Sequence, residues 1–245
     1  MQPLMSSQHL PAFLANTPAE PVASPYLLSV LFGIIEGLTE FLPVSSTAHL
    51  RLVKPLVGVS LEDPYWKMYD VVIQLGAILA VVVYFRTRIA GFVKTFPKGE
   101  AQDRSVFTHP LTLVLFAFGL TAGPAFLLSG VIKDNLESLT VMGVALVVGG
   151  VVMWVVDVAL GKRGTTEDMQ DMRWWQAAVV GLVQVTAAVF PGTSRSMSTI
   201  AAGQMAGLTR RSALEFSFFV SIPTMFAACS YDLYKTITAA PGTEN

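Results

Sequence analysis

Residues 26–49 read Tyr26-Leu-Leu-Ser-Val-Leu-Phe-Gly-Ile-Ile-Glu36-Gly-Leu-Thr-Glu40-Phe-Leu-Pro43-Val-Ser45-Ser46-Thr47-Ala-His49. An apolar stretch, Tyr26–Leu42, meets a proline and a hydroxyl-rich turn, after which apolar sequence resumes. It is short of the roughly 20 apolar residues a helix needs to cross a bilayer core of about 30 Å. A second stretch has the same plan. Trp174–Phe190 runs into Pro191-Gly192-Thr193-Ser194-Arg195-Ser196. A shift of 148 residues lays Glu36 on Gln184, Pro43 on Pro191, Ser46 on Ser194 and Leu79-Ala80 on Ala227-Ala228. Gly33–Ala80 and Gly181–Ala228 therefore read as two copies of one unit.

The rest of the 245-residue chain suits a membrane. It is 53% hydrophobic and only 13% charged, with a mean hydropathy of +0.57. Ordinary soluble domains carry about 25% charged residues. Plain spans are expected at Met68–Phe85, Leu111–Ile132, Leu139–Leu160 and Ala213–Tyr231. If each broken stretch is a re-entrant hairpin, Arg86, Arg88, Lys94, Lys98, Arg104, Lys162, Arg163, Arg173, Arg210 and Arg211 share the cytoplasmic side. Arg51, Lys54, Lys67, Lys133 and Lys235 lie outward, a balance that obeys the positive-inside rule. The two hairpins then enter from opposite faces. The expected fold is an all-α polytopic membrane protein. It is an inverted repeat whose two broken-helix hairpins meet near the midplane, where such folds place their sites. One membrane domain is expected over 26–235, with repeat one at about 26–160 and repeat two at about 174–235. Residues 1–25 and 236–245 read as tails. The first of these has no Lys or Arg and no apolar run of signal-peptide type.

Other classes fall away. A net charge of −1 excludes charge-driven binding of nucleic acid. The single cysteine, Cys229, excludes an intrachain disulfide framework or a cysteine zinc site. There is no Walker, dinucleotide or His-Glu-x-x-His pattern. Trp154, Trp174 and Trp175 suit an interfacial aromatic belt. Asp70, Asp157 and Asp232 read as interfacial, Gln74 and Glu215 as either supports behind the site or helix contacts, and 169–172 as loop.

The chemistry concentrates in the two turns. Glu36 and Glu40 lie on one helix face, and ionised carboxylates in lipid must face protein, water or a cation. The pair suits a hard divalent ion, Mg²⁺ or Ca²⁺, or else one neutral Glu in a helix contact. Ser45, Ser46 and Thr47 suit helix capping. His49, one turn beyond Ser46, suits general acid–base chemistry beside it. Arg195 cannot be deprotonated and needs an anion: either Glu36 or Glu40 in a salt bridge, or a phosphate. A helix restarting at about Thr193–Arg195 aims free N–H groups at the same place, as anion sites do.

The segment Glu36–His49 and the segment Pro191-Gly-Thr-Ser-Arg-Ser-Met-Ser-Thr199 closely resemble the two signature motifs of the undecaprenyl pyrophosphate phosphatases, the bacitracin-resistance membrane phosphatases of bacteria. Val72-Ile-Gln-Leu-Gly76 and Glu215-Phe-Ser-Phe218 resemble that family too, and the likeness runs from about Tyr26 to Lys235. The resemblance implies removal of the terminal phosphate of undecaprenyl diphosphate at the bacterial inner membrane. The site would open outward, and the lipid carrier would be recycled for cell-wall synthesis. It also implies a divalent metal, an acidic pair at Glu36 and Glu40, a catalytic Ser46 and His49, and phosphate binding by Arg195. Ser45, Thr47, Thr193, Ser194, Ser196 and Thr199 would assist in holding the substrate. The nucleophile is then either Ser46 with His49 as its base, or a water. The family continues with further membrane helices, whereas here repeat two is followed by none, so an oligomer that covers the gap is an expectation. The competing class is an inverted-repeat transporter or flippase of a phosphorylated lipid or anion.

Overall fold

A computed structural model describes residues 22–99, 104–136 and 138–238. Among them the chain is helical, with one isolated bridge between Thr166 and Leu208. The helices are α1 (Pro25–Thr39), α2 (Ser46–Leu56), α3 (Pro64–Tyr84), α4 (Arg86–Thr95), α5 (Pro110–Leu127), α6 (Ser129–Leu136), α7 (Leu139–Leu160), α8 (Trp174–Val189), α9 (Arg195–Met205) and α10 (Arg210–Thr238). Four of these, α3, α5, α7 and α10, are long and apolar enough to cross a membrane. The chain is thus a multi-pass membrane protein. The expected tails lie mostly at residues 1–21 and 239–245, outside the described residues.

Local chemistry sets the helix starts. Pro25, Pro64 and Pro110 open α1, α3 and α5, a position where the missing N–H costs nothing. Ser24, Asp63 and His109 cap them by accepting from the N–H groups of Leu27, Tyr65 and Leu111. α1 stops at Thr39, ahead of Pro43, because a residue preceding proline avoids the helical region.

The short pairs α1/α2 and α8/α9 match closely. Their helices have 15 and 11 residues in the first pair and 16 and 11 in the second. Adding 148 to the limits of α2 gives 194–204, one residue from those of α9.

Several boundaries differ from the expected ones. The stretch 111–132 is not one helix: α5 ends at Leu127 and α6 restarts at Ser129. Pro124 removes one helical N–H within α5, and Ser129-Gly130 follows, a pair with poor helix propensity. The last span is longer than Ala213–Tyr231, covering Arg210–Thr238. Residues 169–171 form a short 3₁₀ turn rather than open loop, because Met169 and Met172 are buried in the main core. Asp70 lies in the second turn of α3 and pairs at 2.6 Å with Lys54, whose own side chain is buried.

The main core joins α5, α8, α9 and α10 through Leu113, Ala117, Val180, Ile200, Phe216 and Val220. Gly181 lets α8 lie directly on α5, since a Cβ there would stand 2.4 Å from the Ala117 carbonyl. A smaller cluster of Leu28, Phe32, Leu50, Val59 and Trp66 ties α1 and α2 to α3. Ile78, Met225 and Cys229 join α3 to α10. The two turns, 40–45 and 190–194, face each other between these clusters.

Candidate active site

The first turn is built around a strained residue. Ser45 has φ 65° and is the one described non-glycine with positive φ, a conformation that costs about 1–3 kcal/mol. Its Oγ accepts from the Ala48 N–H at 3.4 Å and so caps α2. Capping by Ser45 leaves the next hydroxyl free. Ser46 Oγ donates to Glu40 Oε2 at 2.6 Å.

The second turn is tighter. Gly192 has φ 95°, and a Cβ there would meet the Met142 carbonyl of α7 at 2.4 Å. Ser194 caps α9 by accepting from the Met197 N–H at 3.3 Å. Arg195, the first residue of α9, reaches across to the first turn. One terminal nitrogen donates to Glu40 Oε1 at 2.8 Å, and the other to the Ser217 carbonyl at 3.3 Å. Its Nε is buried without an acceptor. Ser196 Oγ donates to the Leu42 carbonyl at 2.9 Å, a second tie between the turns. Glu40 thus accepts from Ser46 and from Arg195 at once, one oxygen each.

A polar cavity of about 260 Å³ lies at this junction. Of the residues singled out in the sequence, Glu40, Ser45, Ser46, Thr47, Thr193, Ser194, Arg195 and Ser196 line it. Glu36, His49 and Thr199 do not. Glu36 is buried one turn back on α1, with Oε1 lacking any donor. The His49 Nδ1 lies 2.8 Å from the Ser45 carbonyl oxygen, a contact that orients the ring through one nitrogen and leaves Nε2 to face elsewhere. Thr199 is fully buried, with Oγ1 2.6 Å from Ser217 Oγ and donating to the Arg195 carbonyl.

Residues not chosen from the sequence complete the wall. Gln184, Thr121, Thr224 and Gln74 all line the cavity. The Gln184 amide nitrogen donates to Thr121 Oγ1 at 2.9 Å and Thr224 Oγ1 at 3.2 Å, which fixes the amide and leaves its buried oxygen without a donor. The signal was present, because Gln184 is the repeat partner of Glu36.

One observation suits a divalent ion at Glu36, while the Glu40 oxygens already accept from Ser46 and Arg195. Glu36 Oε1 is a buried acceptor with nothing to accept, and hard cations take carboxylate oxygens. Among the described residues no group of three or more His, Cys, Asp or Glu gathers to hold a metal, so any further ligands would come from hydroxyls, water or substrate.

The bacitracin resistance protein BacA family matches residues 29–244 of this chain. The chain belongs to that family. An undecaprenyl-diphosphatase of Koribacter versatilis is 59% identical over 212 residues, which cover 86% of this chain and 74% of that protein. Undecaprenyl-diphosphatase 2 of Paramagnetospirillum magneticum is 46% identical over 217 residues, 85% of this chain and 76% of the relative. An undecaprenyl-diphosphatase of Bordetella avium is 40% identical over 225 residues, 86% and 77% of the two chains. Both turns lie within the span that the family match covers.

Proposed function

We propose that this family member is an undecaprenyl-diphosphatase. It removes the terminal phosphate of undecaprenyl diphosphate, giving undecaprenyl phosphate and inorganic phosphate, and so recycles the lipid carrier for cell-wall synthesis and confers resistance to bacitracin. The observation that carries the mechanism is the chain Ser46–Glu40–Arg195, which places a hydroxyl, an acceptor for its proton and a guanidinium around one cavity.

Phosphoryl transfer depends mostly on positioning and on electrostatic stabilisation. Ser46 Oγ attacks the terminal phosphorus and its proton passes to Glu40, its hydrogen-bond partner. The bond from phosphorus to the bridging oxygen breaks, and undecaprenyl phosphate leaves with the proton from Glu40, which returns that carboxylate to its ionised form. Water then attacks the phosphoserine, releasing inorganic phosphate and restoring the Ser46 hydroxyl. Arg195 has a spare buried Nε donor and turns from Glu40 toward the phosphate as charge develops there. The N–H groups at the starts of α2 and α9 add positive ends of helix dipoles. His49, oriented at Nδ1 by the Ser45 carbonyl, keeps Nε2 for acid–base work on the substrate or water. Mg²⁺ or Ca²⁺ held by Glu36 and Glu40 would neutralise diphosphate charge.

The matched helix pairs support an inverted repeat of two re-entrant hairpins in the bacterial inner membrane. The excess of Arg and Lys on one side supports a site that opens outward. Purified protein in detergent tests the reading. Inorganic phosphate is expected from undecaprenyl diphosphate, with loss of release in EDTA and recovery on adding Mg²⁺ or Ca²⁺. Full turnover in EDTA would remove the metal from the account, and no phosphate under any condition would remove the reaction.

A further inference from the structure

A hollow of about 500 Å³ lies where the apolar span α7 ends and the apolar span α10 begins, lined by Asp157, Val158, Lys162, Arg163 and Arg210 among others. Lys162 and Arg163 follow α7, while Arg210 and Arg211 open α10. A fixed backbone brings these two distant basic pairs together. Thr165 and Thr166 donate their N–H groups to the Gly207 carbonyl at 2.9 and 3.2 Å, and Thr209 donates to the Thr166 carbonyl at 3.0 Å. The contact needs glycine on both sides. A Cβ on Gly164 would stand 2.4 Å from the Leu208 carbonyl oxygen, and Gly207 has φ 88°. Asp157 is the one acid in the lining, and Arg210 already occupies it, with Nε donating to Oδ1 at 2.7 Å. Lys162 and Arg163 are exposed, and their side chains meet no carboxylate among the described residues.

We propose that this hollow binds the phosphate headgroup of an anionic glycerophospholipid. Arg and Lys donate charge-assisted hydrogen bonds to phosphate oxygens, and basic pockets between spans at a membrane surface take such headgroups. The apolar face beside the cations favours a lipid over a free anion. α7 is the least enclosed of the four apolar spans. Val158 lines the hollow and is exposed, as are Trp154 and Val155 on the preceding turn. Residues three and four apart share a helix face, so these three side chains form one lipid-facing strip that ends at the cations. A lipid whose headgroup meets Lys162 and Arg163 lays its acyl chains along that strip. The hollow shares no lining residue with the cavity that holds Ser46, Glu40 and Arg195. Its ligand is therefore a lipid bound apart from the reaction, at the ends of two spans.

Native mass spectrometry of the full chain in detergent tests this, with titration by dioleoyl phosphatidylglycerol or dioleoyl phosphatidylcholine. A phosphatidylglycerol adduct is expected at concentrations where phosphatidylcholine gives none. The double variant Lys162→Ala/Arg163→Ala should weaken that adduct about thirtyfold, as the loss of two cations from an anionic-lipid site would. Lys162→Arg/Arg163→Lys keeps both charges and should retain it. Arg86→Ala/Lys94→Ala removes two cations from α4, outside the hollow, and should leave it unchanged. An equal loss in the α4 variant would reduce the effect to general positive charge and overturn the site. Equal adducts with the two lipids would overturn it as well. So would displacement of phosphatidylglycerol by inorganic phosphate at matched ionic strength, which would give the hollow to a free anion. No readout here depends on phosphate release, so failure of the phosphatase reading leaves this test intact.

Discussion

Ser46 and Ser194 fall at matching places in the two similar stretches, 148 residues apart in sequence, and do different jobs. In the second stretch Ser194 caps α9, its Oγ accepting from the Met197 N–H. In the first stretch the cap moves back one residue to Ser45, at the cost of a positive φ. Ser46 is released from capping and its hydroxyl donates to Glu40. The partners have diverged as well. Glu36 in α1 falls on Gln184 in α8 when the two stretches are aligned, and Arg195 falls on Thr47. Their surroundings also differ. Every residue of α9 from Ser196 to Gln204 is buried, while α1 and α2 expose Val30, Ile34, Leu38, Leu52 and Leu56. The first stretch holds the Ser46 hydroxyl and the Glu40 carboxylate that accepts from it, and the second holds the Arg195 guanidinium against them. The two stretches share a plan and differ at the few positions that meet in the cavity.

The sharpest way to break this comparison is Glu40→Gln. It removes the proton acceptor of Ser46 and the ion partner of Arg195 together. Turnover of undecaprenyl diphosphate should fall about 10²–10⁴-fold, the usual contribution of a positioned base. A variant that stays folded with near-normal turnover would show that Glu40 only joins the two turns.

Arg195→Lys comes next. It keeps the charge but loses the planar fork. Loss of one preorganised donor costs about 10²–10³-fold in rate, and kcat should fall much more than affinity for substrate. If the ion pair with Glu40 were its whole role, the Lys variant would turn over normally, while Arg195→Ala would fail to fold through a stranded carboxylate. Melting temperature and turnover of both variants separate the two cases.

The smallest effect concerns the displaced cap. Ser45→Gly accepts φ 65° without strain and gives up a weak 3.4 Å cap bond, a loss of only a few tenths of a kcal/mol for glycine. A net gain of about 0.5–1 kcal/mol is expected, read as a higher melting temperature with turnover changed less than by either variant above. A lower melting temperature would show that the Ser45 hydroxyl, rather than its backbone, sets the turn.

Much of this was legible in the sequence because lipid forces polar residues to have reasons. Two prolines, each followed by hydroxyls, marked both turns. The lone arginine between apolar stretches marked the cation. The limits of α7, Leu139–Leu160, were read correctly from hydropathy alone. Other features depended on packing. Hydropathy does not register the break at Leu128, because both sides of it are apolar. α4 was not anticipated, since its charges Arg86, Arg88 and Lys94 hide a face that buries Phe92. That the His49 ring is oriented at Nδ1 by the Ser45 carbonyl is also a matter of packing. Which carboxylate meets Ser46 depends on how a six-residue turn folds, and the sequence does not encode that legibly. Gln184 was overlooked because its importance lies in two threonines on distant helices, Thr121 and Thr224, that fix its amide.

The most direct test of the central claim is phosphate release from undecaprenyl diphosphate by the wild type and Ser46→Ala, side by side in detergent with added Mg²⁺ and matched melting curves. The account predicts steady release by the wild type. The alanine variant should melt near the wild-type temperature and release phosphate only at background rate, because the attacking oxygen is gone. Release by Ser46→Ala at a rate close to wild type would contradict the account and pass the attack to water.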